Sequence, residues 1–192
     1  MQFADLVAKS RSVRRFTGEP VPMADLDDLA ALARLTPSGA NKQPLKYVLV
    51  SDSAACAEVF PCLAWAAFLT KWKGPDEGER PGGYVVVCHD KAVSDSPGCD
   101  HGIAAQTIML GAAEKGLAGC ILASINRDKL RDALDIPQGL DILLVLALGK
   151  PGEKVVVEDL APGPDGHKYW RGDDDAHHVP KRSLDELVAA RH

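Results

Sequence analysis

The chain has 192 residues, 46% of them hydrophobic and 26% charged, with a formal net charge of −5. This is the composition of a folded, soluble chain forming one domain, and its acidic balance disfavours broad attraction to nucleic acid or anionic lipid. No apolar run approaches the roughly 20 residues that a membrane span needs, and Met1-Gln2-Phe3-Ala4-Asp5 lacks the basic-then-apolar order of a secretory signal, so a cytoplasmic location is expected.

In chain order, Phe3, Leu6 and Val7 fall at helical spacing and predict a short amphipathic helix ending near Ser10. A second helix is marked by Leu26, Leu29, Ala30 and Ala33, with Asp25, Asp27 and Asp28 in its first turn, where the helix dipole favours acids. Lys46 to Ser51 reads as a strand, and Asp52 caps a short helix that Pro61 interrupts. From Cys62 to Gly83 periodicity fades, which predicts a partly ordered lid. Its Trp65 and Trp72 either line a substrate pocket or pack against the core or a second subunit.

Tyr84 to Cys88 is a second strand. Asp100 is placed to cap a helix from His101 to Lys115 that is apolar on nearly every face and therefore buried, with Gly111 allowing close helix approach. Gly119 to Leu122 gives a third strand, Arg127 to Leu134 a helix capped by Asn126, and Asp141 to Leu148 a fourth strand. The tail from 151 to 192 reads as turn-rich until a terminal helix aligned by Leu184, Leu187 and Val188.

Five cysteines, odd in number and with no C-x-x-C pair, point to free thiols in a reducing compartment. Asp173-Asp174-Asp175 with His177 and His178, and Cys99-Asp100-His101, contain metal-ligating types, but a solvated loop and a helix start explain them more simply, and no metal is expected. No dinucleotide fingerprint, P-loop or nucleophile elbow occurs. Two stretches carry chemistry. Arg11-Ser12-Val13-Arg14-Arg15-Phe16 gathers three guanidinium forks and a hydroxyl, donors suited to a phosphate ester, although a solvated basic turn has the same composition. Ser38, Asn41 and Gln43 stand in a proline-stiffened loop and offer donors and acceptors that suit the edge of a flat heterocycle.

Arg-Ser-x-Arg-x-Phe followed by Ser-x-x-Asn-x-Gln-Pro resembles the N-terminal signature of the nitroreductase family of FMN-dependent oxidoreductases. Asp100-His101-Gly102-Ile103-Ala104-Ala105-Gln106, Gly116 to Ile121, the Leu146 to Pro151 stretch and Val179 to Leu184 resemble later family segments in the same order. Two positions depart from the pattern: Ser10 stands where many members have another arginine, and Thr107 where an asparagine is frequent.

The resemblance implies an α+β sandwich with a mixed, mostly antiparallel sheet flanked by helices, forming an intertwined homodimer with FMN at the interface. It implies that Arg11 and Arg182 meet the flavin phosphate, with Lys181 and Ser12 beside them, and that Arg14 approaches the pyrimidine side of the ring. The partner's Ser38, Asn41 and Gln43 line the ring and ribityl chain, Gln106 belongs to the same contacts, and Ile121, Leu122, Ala123 and Ser124 lie beneath the ring. The implied chemistry is hydride transfer from NAD(P)H through the flavin to a nitroaromatic or quinone, with no catalytic side chain required. The alternatives are a flavin- or nucleotide-binding protein without turnover and a family member with other flavin chemistry.

Overall fold

The computed structural model describes residues 2–192. Its centre is a four-stranded, wholly antiparallel sheet ordered β1-β2-β4-β3, from β1 (Leu45–Val50), β2 (Gly83–Asp90), β3 (Ala118–Leu122) and β4 (Leu140–Gly149). Alternation along the two central strands divides the core. Val85 and Val87 with Leu146 and Leu148 face α2 (Met23–Arg34) and α4 (Asp100–Glu114). Tyr84, Val86 and Cys88 with Val145 and Ala147 face α3 (Ser53–Val59) and α5 (Arg127–Ala133). A bulge keeps both faces filled: Val87 pairs Leu144 but Cys88 pairs Ile142, so the extra residue returns Ile142 to the α3/α5 face.

The local reasons for these elements are mostly those expected. The Asp52 carboxylate accepts from Ala55 N, and the Asn126 side chain accepts from Lys129 N, each satisfying one orphan donor of its helix. Leu26, Leu29 and Ala33 form the buried stripe of α2, and Lys115 beyond α4 bonds Asp25 and Asp28 on it at 2.8 and 2.7 Å. A Cβ on Gly111 would lie 2.9 Å from Leu29 Cδ2 and 2.6 Å from Leu32 Cδ1, so glycine sets how closely α4 packs on α2. α4 is not buried on every side, however: Gly102, Ile103 and Gln106 are exposed. The first helix, α1 (Phe3–Lys9), buries none of its residues and leaves Phe3 71% exposed.

Expectations fail at Asp100 and in the tail. Asp100 is the first residue of α4 and not its cap; its buried carboxylate instead accepts from Ser38 Oγ at 2.6 Å and Gly39 N at 3.0 Å. The tail is more ordered than its turn-rich sequence suggests. It forms a second, mixed sheet, β5-β7-β6, from β5 (Val155–Asp159), β6 (Trp170–Arg171) and β7 (His177–Lys181), with β5 parallel and β6 antiparallel to β7. The terminal helix shrinks to α6 (Leu184–Leu187), begun by a capping box between Ser183 and Glu186.

Residues 62–83 do not hang free as a lid. Ala64 N donates to Ser124 O, Asn126 N donates to Cys62 O, and the Trp65 ring sits in the α3/α5 core, 5.8 Å from the Phe60 ring. Burying so large an apolar ring ties the segment to the sheet.

Candidate functional site

The Arg11 to Arg15 stretch leaves α1 and runs along the outer edge of β3, where Ser12 forms a parallel bridge with Gly119 and Val13 N donates to Gly119 O at 2.9 Å. The tail fixes it from the other side. Glu153, with a side chain only 2% exposed, accepts from the backbone N–H groups of both Arg14 and Arg15 and from Arg171 Nη2 at 2.8 Å. One buried carboxylate thus organises three donors, the paired arrangement that a buried charge requires.

Arg11, Ser12, Arg14, Gln106 and Lys181 line one cavity of about 300 Å³, together with Ser10, Tyr169, His177 and Val179. Its donors are unequally free. Arg11 turns back onto the C-terminus of α1, donating to Val7 O at 2.8 Å and Ser10 O at 2.7 Å. Arg14 lies 4.9 Å from the Tyr169 ring centroid and donates from Nη1 to His177 Nε2 at 3.0 Å, while its buried Nε has no partner. Because a guanidinium cannot accept, His177 Nε2 carries the lone pair and Nδ1 the proton. Burial first, and the Arg14 charge second, push His177 down to about 4, so it stays neutral at neutral pH. Burial likewise raises the Cys120 thiol behind the strip, which keeps it protonated.

Ser38 and Gln43 line a different cavity, of about 430 Å³, with Tyr47, Pro37 and Asp100. The loop between them is held in shape by Ser38, which donates to Asp100 and accepts from Gln43 N at 2.8 Å, so its hydroxyl proton is committed inside the chain. Positive φ at Ala40, Asn41 and Gln43 marks the same tight loop. Within one chain, then, the two expected groups of contacts stand at separate cavities. Asn41, Arg182 and the Ile121 to Ser124 segment line neither cavity; Arg182, Asn41, Ile121, Ala123 and Ser124 are exposed and Leu122 is buried. The substrate-pocket role of Trp65 gives way to core packing. Trp72 faces a third, open cavity with Arg15, Trp170 and Arg171. Glu153, His177 and Tyr169 are the residues that sequence reasoning missed. A lone Glu after Lys150-Pro151-Gly152 and a His in an Asp-rich loop carry no local signal that they dock on Arg14.

This donor set suits a phosphorylated, flat, partly apolar cofactor: a cationic cavity with an unpartnered guanidinium donor on one side, and a polar loop above an apolar floor on the other. The nitroreductase family model matches residues 7–79 and 95–150, which include the arginine strip, the Ser38 loop, α4 and strands β1, β3 and β4. A putative NADH dehydrogenase/NAD(P)H nitroreductase of Archaeoglobus fulgidus is 24% identical over 157 residues, 78% of this chain and 85% of that protein. An iodotyrosine deiodinase of Haliscomenobacter hydrossis is 26% identical over 178 residues, 78% of this chain and 79% of that protein. Among solved structures, an FMN-dependent nitroreductase of Clostridium difficile superposes with a TM-score of 0.66 at 23% identity, covering 79% of this chain and 89% of that one. Motifs, antiparallel sheet, central helix and family match agree in order along the sequence, and the chain belongs to the nitroreductase family.

Proposed function

We propose that the protein is an FMN-dependent oxidoreductase that passes hydride from NAD(P)H to a small acceptor such as a nitroaromatic or quinone. The observation that carries this reading is the convergence of Arg11, Ser12, Arg14, Gln106 and Lys181 on one cavity, with the Arg14 Nε buried beside it and lacking an acceptor. FMN, when bound, supplies the two-electron carrier on which a ping-pong exchange depends. The chain's own residues bind and orient it. Lys181, Ser12 and Arg11 offer donors to the phosphate, with Arg182 adjacent in sequence, and Arg14 offers a fixed positive charge to the ring. Glu153 holds the backbone that presents these groups.

The second half of the site comes, on this reading, from the Ser38 loop of another copy of the chain, whose Asn41 and Gln43 are exposed. The exposed Phe3 and Val7 on α1, Ile103 on α4 and Leu35 at 68% exposure supply an apolar face for that partner. We also place the protein in the cytoplasm as a single domain, on the strength of its five free thiols and its acidic composition. No helix of the described residues is long and apolar enough to cross a membrane.

The test is the visible spectrum of the purified protein. Flavin absorbance that bleaches anaerobically with NAD(P)H and returns with menadione or nitrofurazone supports the proposal; a chain that remains colourless after incubation with FMN contradicts it. The similarity to an iodotyrosine deiodinase favours one second reading, reductive dehalogenation of a halophenol. Reoxidation of the reduced protein by iodotyrosine, with iodide release and without turnover of nitrofurazone, selects that reading.

A further inference from the structure

Away from both flavin half-sites lies a cavity of about 320 Å³ whose lining shares no residue with theirs. One wall is the backbone from Gly18 to Pro20 against Arg80 to Gly82, joined by Val21 N donating to Gly82 O at 2.9 Å. The segments touch so closely that a Cβ on Gly82 would fall 2.0 Å from Glu19 O, so only glycine fits there. The other wall is the end of β1 and the first turns of α3, with Ser51, Ser53, Cys56 and Ala57, and Tyr84 of β2 also lines the cavity.

Two strong donors at this cavity, on Arg80 and Tyr84, have no acceptor among the described residues. Arg80 stacks its guanidinium 4.2 Å from the Phe60 ring centroid, and its buried Nε has no partner. Among the described residues, no carboxylate or carbonyl accepts from Arg80, although neighbouring Glu79 pairs with Arg15. Glu77, the one carboxylate in the lining, forms no ion pair with it. Tyr84 is 1% exposed and its hydroxyl bonds no described residue. Burial raises its phenol, and the nearby Arg80 charge only partly offsets this, so the group remains a donor. The Ser51 and Ser53 hydroxyls are likewise unengaged among the described residues, whereas Cys56 Sγ reaches Val50 O at 3.8 Å.

We propose that this cavity binds a small monocarboxylate with an apolar body, its carboxylate received by Arg80 and Tyr84 and its body lying against Pro20, Ala57 and Pro81. A stacked guanidinium presents its edge as a planar fork that matches a carboxylate. With Arg80 as the one cation in the lining and the Glu77 carboxylate beside it, a ligand with one negative charge is favoured over a phosphate dianion. A pocket near the lower end of the usual ligand range, about 300 Å³, suits a small ring or short chain. The site is independent of the flavin assignment.

Titration calorimetry of the full chain with benzoate, repeated with inorganic phosphate and with FMN present, tests the proposal. Benzoate is expected to saturate one site per chain with the same affinity with and without FMN. Arg80→Gln should weaken it about tenfold or more. Ala57→Phe, at an exposed position, should block the cavity while leaving Arg80 and the melting temperature in place, so the result does not depend on Arg80→Gln folding. Phosphate should bind at least tenfold more weakly than benzoate. Absence of saturable benzoate binding, unchanged affinity in Ala57→Phe, displacement by FMN, or tighter binding of phosphate each overturns it.

Discussion

Arg14 illustrates how a residue legible from its neighbours acquires partners that are not. Its place in Arg-Ser-x-Arg-x-Phe marks it for an anion, yet its backbone is set by Glu153 and its guanidinium by His177 and Tyr169, all more than 130 positions away in the tail. Such contacts leave no local trace, because nothing near Glu153 in sequence requires a buried carboxylate. Removing it leaves the Arg14 and Arg15 N–H groups and Arg171 Nη2 without an acceptor in a dry environment, and Glu153→Ala is expected to cost about 3–5 kcal/mol of stability. Urea unfolding checks this, and a loss below about 0.5 kcal/mol, the scale of an ordinary surface change, contradicts the role given to it.

His177 adds a pH dependence with a definite sign. Its folded pKa, about 4, lies below the usual 6.5, so the unfolded chain takes up the proton more readily. Its contribution is fully present above about pH 6.5 and is lost as pH falls toward 4. The charged groups that bear on it are Arg14, Arg171 and His178, which oppose its protonation, and Glu153, which favours it. The urea midpoint should fall between pH 7 and pH 5 in the parent and fall less in His177→Gln, whose amide oxygen can still accept from Arg14. Equal slopes in the two proteins would remove His177 from the account.

At the scale of elements, the strands and helices through Gly149 were readable because each carries a periodicity or a cap that decides it locally. Asn126 and Asp52 start their helices as expected, and β1 to β4 lie within two residues of their sequence reading. Asp100 misled because an acid before an apolar helix looks like a cap; the loop it actually holds, through Ser38 and Gly39, is remote in sequence. The tail sheet was missed because β6 has two residues and β7 contains Pro180, leaving no alternation to detect. Its stability comes from side-chain pairs such as Trp170 stacked on His178 at 5.0 Å.

Gly111 tests the packing logic at this scale. Gly111→Ala gains about 1 kcal/mol of helix propensity but drives a methyl into buried Leu29, an overpacking cost of about 1–3 kcal/mol. Leu32, 38% exposed, can move aside; Leu29, fully buried, cannot. A net loss of stability in thermal unfolding is expected, and a gain would mean that α2 yields freely to α4.

For the whole molecule, the expected flavin contacts that line a cavity divide between two on one chain: Arg11, Ser12, Arg14, Gln106 and Lys181 at one, Ser38 and Gln43 at the other. The arginine cavity has charge without a ring-reading loop; the Ser38 cavity has the loop without a cation cluster. The proposed function joins them across two copies of the chain, using the apolar face on α1, α4 and the end of α2. A ligand that needs both halves binds only the associated form and therefore stabilises it by mass action. Sequence order hinted at this division, since the arginine strip precedes α2 and the Ser38 loop follows it, but only the folded chain shows the two groups lining different cavities. Sedimentation velocity across a dilution series, recorded at the flavin absorbance and at the protein absorbance, measures this linkage directly. FMN is expected to co-sediment with a dimer and to shift its dissociation to lower protein concentration; a monomer that retains stoichiometric FMN would rule out a site shared between two chains.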